Sequence, residues 1–211
     1  MIEFRKFMQQ KSKIKKDFSA IILAAGNSSR MGFPKFALKY SDTQTFIEHI
    51  TEEYEKFGCT EVIVVVNVAN YQYLQKQKMP FDKKIQFVVN EHPEWHRFYS
   101  LKKGVQALSK KIKIFVHNVD NPFVNPEVLM ALKQNAGKYD YIYPAFNRRG
   151  GHPFLLSENV VTDLKNEVEN QIHLKKFLNQ YYTKKVKVLD ERVLVNINTM
   201  VDYRKYFNWI E

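Results

Sequence analysis

Residues 19–35 (SAIILAAGNSSRMGFPK) constrain the fold of this chain more than any other stretch of its sequence. The stretch begins with apolar residues 20–24, a run typical of a β-strand that is buried on both faces. Gly26 follows, where a residue without a Cβ allows a sharp turn and a close approach of the backbone to a ligand. Small polar residues then leave space, and Arg30 and Lys35 add two fixed positive charges. This combination predicts a loop that binds phosphate groups.

Two common phosphate-binding loops do not match this stretch. A dinucleotide-binding loop requires G-x-G-x-x-G, but Gly26 is followed by asparagine and serine. A P-loop requires a lysine directly after its last glycine, but Gly32 is followed by phenylalanine. The chemistry still suits phosphate, because Arg30 can bind phosphate oxygens bidentately and Lys35 can act as a point charge.

The rest of the chain alternates between strand and helix patterns. Thr45 and Glu48 have the spacing of a capping box, and Gly58 is a typical helix terminator, so a helix is predicted between them. Further helices are predicted near residues 71–78, 98–110, 157–167, 172–181 and 201–209, and strands at residues 61–67, 85–89, 113–119, 139–144, 185–189 and 193–199. Such alternation predicts an α/β domain with a mainly parallel sheet.

Length and composition favour one domain. The 211 residues suit a single unit at residues 19–211, preceded by a basic extension at residues 1–18. No run approaches the roughly 18 apolar residues of a membrane span, and the first residues lack the apolar core of a secretory signal. Cys59 is the only cysteine, which excludes an intramolecular disulfide. We therefore expect a cytoplasmic protein.

The chain is strongly basic, with 33 Lys and Arg against 22 Asp and Glu and a net charge of +11. This charge suits an anionic substrate such as a nucleoside triphosphate, but it also suits nucleic acid or a membrane surface. A lysine-rich composition spread over solvated faces would give the same total. The charge alone does not choose among these partners, although nucleic acid is not expected.

Polar residues are predicted at two strand ends. Asp120 ends the strand at residues 113–119, and the carboxyl ends of central strands face the crevice in which open α/β sheets bind ligands. Strand alternation in residues 193–199 would place Asn196 and Asn198 on one face, opening to the same crevice. Alternatively, these asparagines cap the final helix.

Several motifs together resemble one family. Residues 23–35, L-A-A-G-x-S-x-R-M-G-x-x-K, resemble the signature loop of the MobA-like nucleotidyltransferases, which include molybdenum cofactor guanylyl- and cytidylyltransferases. Four further motifs are similar to those of the family and follow in its order: Ser100-Leu101-x-x-Gly104, Asp120-x-Pro122, Gly151-His152-Pro153 and Asn196-x-Asn198-Thr199. The chain departs from the pattern before Ser100, where the family often has a glycine and this sequence reads H-R-F-Y. The resemblance covers residues 19–207.

This resemblance implies a three-layer α/β/α sandwich with a Rossmann-like, mainly parallel mixed sheet of the nucleotide-diphospho-sugar transferase type. It also implies a Mg²⁺-dependent enzyme that moves a nucleoside monophosphate from CTP or GTP to a phosphorylated acceptor and releases pyrophosphate. Molybdopterin is the first acceptor that the family suggests. Sugar phosphates or other small acceptors stay open, because the motifs mix two branches of the family. A non-catalytic, nucleotide-binding regulatory module is the alternative from another class.

The resemblance also assigns roles to individual residues. Those implied for nucleotide binding are Leu23, Ala24, Ala25, Gly26, Ser28, Arg30, Lys35 and Ser100. Those implied for catalysis are Arg30, Lys35 and Asp120. Magnesium is assigned to Asp120 with Asn196 or Asn198, since Mg²⁺ prefers a few protein oxygens plus phosphates and water. The residues implied on the acceptor side are Gly151, His152 and Pro153, and neighbouring Arg148 and Arg149 could meet an acceptor phosphate.

Overall fold

The computed structural model describes residues 18–28, 31–77, 85–110 and 112–207. The predicted basic extension therefore lies outside the described residues, except that the first strand begins at Phe18. The strands are β1 Phe18–Ala24, β2 Val62–Asn67, β3 Ile85–Asn90, β4 Lys113–Asn118, β5 Tyr141–Phe146, β6 Arg149–Gly150, β7 Phe154–Leu156 and β8 Thr183–Lys187. The α-helices are α1 Phe46–Phe57, α2 Val68–Gln77, α3 His96–Gln106, α4 Pro126–Lys133, α5 Glu158–Asn166, α6 Leu174–Leu178 and α7 Met200–Tyr206. Short 3₁₀ helices lie at Lys35–Ala37, Pro93–Trp95 and Glu191–Leu194.

Local signals explain the best-predicted helix. The Thr45 hydroxyl accepts a hydrogen bond from the Glu48 N–H, and the Glu48 carboxylate accepts one from the Thr45 N–H, which completes the capping box. Gly58 ends the helix in the left-handed conformation, with φ of 95°. These contacts satisfy backbone groups that a helix end otherwise leaves without partners. The predicted bounds of α1 are confirmed.

The sheet is mixed but mostly parallel, as predicted. Strands β3, β2, β1 and β4 are neighbours in that order, and all their pairings are parallel. Antiparallel β7 then joins β4 to β5, and β8 runs parallel to β5. Because β4 and β5 are both antiparallel to β7, the carboxyl ends of β1, β4, β5 and β8 lie at one edge of the sheet.

Helices cover both faces of the sheet and give it three layers. Alternate side chains of β1 enter two different apolar clusters. Ala20 and Ile22 belong to the cluster with α1, α4 and α7. Ile21 and Leu23 belong to the cluster with α3, α5 and α6. All four β1 side chains are buried, and each large apolar one contributes about 2 kcal/mol when removed from water. In the described part of the chain, no helix is long and apolar enough to cross a membrane.

Helix α3 packs unusually close to the sheet. A Cβ on Gly104 would lie 2.7 Å from Cγ2 of Ile21 and 3.0 Å from Cγ2 of Val65. Glycine at this position therefore lets the helix approach the two central strands. The close approach fixes the amino end of α3, which carries Ser100, beside the carboxyl ends of the strands.

The predicted last strand at residues 193–199 is wrong. Its first residues form the 3₁₀ helix at Glu191–Leu194, and residues 195–198 have no regular structure. The backbone here bonds to loops instead of a strand, since the Val193 carbonyl accepts from the His152 N–H and the Ile197 N–H donates to the Asp120 carbonyl. Asn196 and Asn198 therefore do not share a strand face. They do not cap the final helix either, because Thr199 is its N-cap.

Candidate active site

A cavity of about 760 Å³ opens at the carboxyl edge of the sheet, beside the ends of β1 and β4. The predicted site residues that line it are Leu23, Ala24, Ala25, Gly26, Ser28, Lys35, Ser100, Asp120 and Asn196. Further walls come from the amino end of α3 and from residues 171–174. Its size and its position at the strand ends suit a nucleotide-sized ligand. Ser29 and Arg30 lie outside the described residues.

Two asparagines that were not predicted from the sequence hold the loop after β1. The Asn67 side chain donates to the Ala25 carbonyl at 3.1 Å, and the Asn70 side chain donates to the Ala24 carbonyl at 2.8 Å. The Asn70 N–H also donates to the Asn67 side chain at 2.8 Å. Both side chains are buried. The available signal was an asparagine directly after the apolar run of β2, where a buried amide needs partners.

Lys35 reaches across the cavity rim to the segment before α7. Its Nζ donates to Oδ1 of Asn198 at 2.8 Å, and its backbone N–H donates to Oγ of Ser28 at 3.3 Å. The Asn198 N–H in turn donates to Asp202, the capping-box carboxylate of α7. The lysine and the asparagine are thus brought together by a capped loop. Asn196, on the same loop, lines the cavity.

Asp120 presents a carboxylate oxygen for which the described residues offer no hydrogen bond. Its Oδ1 is buried and accepts no hydrogen bond from the part of the chain that the structure describes, whereas its backbone carbonyl accepts one from the Ile197 N–H at 2.7 Å. Burial raises the pKa of the Asp120 carboxyl, and the positive charges of Lys35 and Arg97 act in the opposite direction. A buried polar atom without a partner in a cavity calls for an explanation, and a bound cation is one.

The donor set fits a magnesium ion. Asp120 supplies a carboxylate, and Asn196 and Asn198 carry amide oxygens on the adjacent loop. Among the described residues, no group of three or more His, Cys, Asp or Glu side chains could hold a metal ion. Mg²⁺ is commonly held by one or two protein oxygens together with substrate phosphates and water, so it does not need such a group.

Buried polar groups hold the Asp120 turn in place. Nε2 of His117 hydrogen-bonds to the Asn121 carbonyl, and Nδ1 of His117 lies 2.9 Å from the Tyr54 hydroxyl. The Asn121 side chain donates to the Arg192 carbonyl at 3.0 Å, which ties the turn to the segment before α7. Burial lowers the pKa of His117 to about 4, so the ring stays neutral near pH 7. The turn is therefore supported from β4, α1 and the 3₁₀ helix.

Ser100 lies in the cavity wall with its hydroxyl already engaged. Nδ2 of Asn90 donates to Oγ of Ser100 at 2.9 Å, and Oγ donates to the His96 carbonyl at 3.3 Å. A hydroxyl has one donor and two acceptor positions. In this arrangement Ser100 can therefore accept one more hydrogen bond from a ligand.

The Gly151–Pro153 segment lies behind the cavity wall. None of its residues lines the cavity, but Nε2 of His152 is 3.1 Å from Nδ2 of Asn118, which does line it. A Cβ on Gly151 would lie 2.2 Å from the Val193 carbonyl oxygen, so only glycine fits here. Burial lowers the pKa of His152 to about 3, with the charges of His117 and Arg97 acting in the same direction.

Sheets of this topology bind nucleotides at their carboxyl edge. The cavity is lined by a lysine and by a carboxylate whose Oδ1 has no hydrogen-bond partner among the described residues, and such opposite charges could hold phosphates and a metal ion. The fold and the site together indicate the class of nucleotide-dependent transferases. Comparison with known proteins is more specific. Residues 20–186 match the MobA-like NTP transferase domain, and the chain belongs to this family of nucleotidyltransferases.

Individual relatives agree with this family. The chain is 26% identical over 159 residues to a probable molybdenum cofactor guanylyltransferase of Methanosarcina mazei, covering 74% of this chain and 70% of the relative. It is 27% identical over 132 residues to 2-C-methyl-D-erythritol 4-phosphate cytidylyltransferase of Geobacillus kaustophilus, covering 61% of this chain and 57% of the relative. A solved nucleotidyl transferase from Methanothermobacter thermautotroptrophicus has a TM-score of 0.72 at 22% identity, covering 92% of this chain and 98% of that chain. The predicted family, fold class and enzyme class are confirmed.

Proposed function

We propose that this chain transfers a nucleoside monophosphate from a nucleoside triphosphate to a small phosphorylated acceptor, with Mg²⁺, and releases pyrophosphate. The observation that carries the proposal is the buried Oδ1 of Asp120, which has no hydrogen-bond partner among the described residues and belongs to a side chain that lines the same cavity as Lys35. Nucleotide binding alone has less need of a carboxylate next to a lysine. A regulatory module is therefore the weaker explanation of this cavity.

The residues around the cavity have separate roles in the proposed reaction. The loop around Gly26 and Ser28, with Arg30, binds the β- and γ-phosphates. Lys35 stabilises the negative charge that develops at the α-phosphate. Ser100 accepts a hydrogen bond from the base or ribose. Transfer of phosphorylated groups needs mainly alignment and neutralised charge, and these groups supply both.

Asp120, with Asn196 or Asn198, would hold the magnesium ion. When bound there, Mg²⁺ would neutralise part of the phosphate charge. An acceptor phosphate oxygen then forms a bond to the α-phosphorus, and the bond from that phosphorus to the bridging oxygen breaks. The electron pair of that broken bond leaves with pyrophosphate. The protein forms no covalent bond in this scheme.

The relatives suggest the donor and the acceptor. One is named a guanylyltransferase and the other a cytidylyltransferase, so GTP and CTP are the proposed donors. Molybdopterin is the first proposed acceptor, and a sugar-alcohol phosphate is the second.

Isothermal titration calorimetry tests the donor directly. ATP, GTP, CTP and UTP are each titrated with and without Mg²⁺, and pyrophosphate release is then followed with the preferred triphosphate and each proposed acceptor. One triphosphate is expected to bind at least about tenfold more tightly with Mg²⁺, which corresponds to about 1.4 kcal/mol. Weak, metal-independent binding of all four would contradict the proposal. Tight binding without pyrophosphate release from any acceptor would instead favour a regulatory module.

Replacing Gly26 with alanine tests the loop. The backbone of Gly26 is not in the left-handed conformation, so its turn does not depend on glycine, and the predicted close approach of a ligand to this backbone is what the substitution tests. An added Cβ would meet nothing within 4 Å and would project into open space. We expect G26A to change the free energy of unfolding by less than about 0.5 kcal/mol. Triphosphate affinity should fall about tenfold because the methyl group obstructs phosphate approach. Thermal melts and calorimetry measure the two effects, and unchanged affinity would show that phosphate does not approach this backbone.

A further inference from the structure

Two positive side chains approach the Asp120 region from different layers of the fold. Lys35 belongs to the segment whose Phe36 packs in the apolar cluster beneath α1 and α4. Arg97 belongs to α3, whose Phe98 packs in the cluster on the other face of the sheet. Both side chains line the same cavity. The carboxylate is therefore flanked by one cation from each face.

Arg97 is available to a ligand. Its side chain is exposed, and in the described part of the chain its guanidinium makes no hydrogen bond or ion pair. Its charge acts on the pKa of Asp120, and it also acts on the pKa of His152 and of Tyr141. His152 and Tyr141 belong to the β5–β7 side of the sheet, where the Gly151–Pro153 segment lies. Arg97 also lines one cavity with Asp120 and with Asn118, whose Nδ2 lies 3.1 Å from Nε2 of His152, so it is near both the strand end that carries Asp120 and that side.

We propose that Arg97 binds the anionic group of the acceptor, on the His152 side of Asp120. The inference rests on the proposed function, because transfer between two phosphorylated molecules brings two anions to one cavity. The loop after β1 and Lys35 serve the triphosphate. Arg97 supplies a second cation, and a guanidinium can bind two phosphate oxygens at once.

Two other arginines, which the sequence suggests could meet an acceptor phosphate, lie elsewhere. Asn147 and Arg148 form the turn between β5 and β6, and Arg148 lines a separate recess with Lys185 and Lys187. Neither Arg148 nor Arg149 lines the main cavity. This placement favours Arg97 over both of them as the residue that meets the acceptor phosphate.

Inorganic phosphate can serve as the probe, since the acceptor is not identified. The protein is saturated with Mg²⁺ and the α,β-methylene form of its preferred triphosphate, which cannot be cleaved at that position, and phosphate is then titrated by calorimetry. The variants are Arg97→Ala, Arg97→Lys and Arg149→Ala. Arg204→Ala is the matched control, because Arg204 is exposed on α7 and does not line the cavity.

R97A should weaken phosphate binding about ten- to hundredfold, the usual effect of losing hydrogen bonds to a charged group. R97K should fall between R97A and wild type, while R149A and R204A should match wild type. Affinity for the methylene triphosphate should stay within about threefold of wild type in all four variants, since the loop after β1 and Lys35 are unchanged. Thermal melts should coincide because the side chain is exposed.

Other outcomes would overturn the assignment. Equal phosphate affinity in R97A and wild type would do so, as would phosphate binding that depends on Arg149 or is absent from wild type. Loss of triphosphate affinity in R97A would show instead that Arg97 binds the triphosphate. Failure of the proposed function would give a different result. Wild type would then show no Mg²⁺-dependent triphosphate binding, which would contradict both proposals.

Discussion

Replacing Asp120 with asparagine should abolish Mg²⁺-dependent triphosphate binding and yet stabilise the ligand-free fold. Oδ1 of the carboxylate is buried and has no hydrogen-bond donor among the described residues. Burial therefore raises the pKa of Asp120 above its ordinary value of 3.8. The folded state binds more protons than the unfolded state between that value and the raised pKa, so stability falls as pH rises through this window. Asparagine removes the penalty because it carries no charge.

Two measurements check this prediction. Turnover with the identified acceptor should fall at least about 10²–10³-fold, as expected when a group that stabilises transition-state charge is lost. The melting temperature of D120N without metal should exceed that of wild type at pH 8. The difference should shrink as pH falls toward 4, where wild type takes up the proton.

Asp202→Asn provides the opposite control for stability. The Asp202 carboxylate accepts hydrogen bonds from the Thr199 side chain and from the Asn198 and Thr199 backbones, which lowers its pKa. D202N should therefore lower the melting temperature near pH 7, where D120N raises it. If D120N kept metal-dependent binding, or unfolded more easily than wild type at pH 8, Asp120 would have a structural role.

Short-range signals made much of the fold predictable. The Thr45–Glu48 capping box and the apolar run of β1 are each recognised within a few residues, and each was found where expected. The strand predicted at residues 193–199 is absent because the alternating pattern reflects only neighbouring residues. The hydrogen-bond partners of this backbone are distant in sequence. The Asp120 carbonyl and the His152 N–H, which bond there, come from other parts of the chain.

The same distinction applies to the site. Motifs supplied the identities of Lys35 and Asp120, because their residue types and order are recognisable in the sequence. The residues that hold the loop after β1 and the Asp120 turn were not predicted. A buried amide such as Asn67, or a buried imidazole such as His117, can be recognised only together with its hydrogen-bond partners. Tyr54 lies 63 residues from His117 in sequence, and Asn198 lies 163 residues from Lys35. No local pattern marks such pairs.

Replacing Lys35 with alanine should lower kcat by about 10²–10³-fold, with a smaller effect on triphosphate affinity. Negative charge at the α-phosphate grows as the acceptor attacks, so a lysine there is more useful in the transition state than in the bound substrate. Pyrophosphate release gives kcat and KM, and calorimetry gives the affinity for the triphosphate. Lys39→Ala is the control, because Lys39 is an exposed lysine four residues further on that does not line the cavity.

Two further variants separate charge from orientation at this position. Lys35→Arg keeps the charge but changes its geometry, so it should restore only part of the turnover. Asn198→Ala removes the amide that accepts from Nζ of Lys35 at 2.8 Å, and should lower kcat about tenfold by leaving the ammonium group less well aimed. Turnover at the wild-type level in K35A would refute the catalytic role of Lys35. A large rise in KM with unchanged kcat would show instead that Lys35 binds the substrate and its transition state equally.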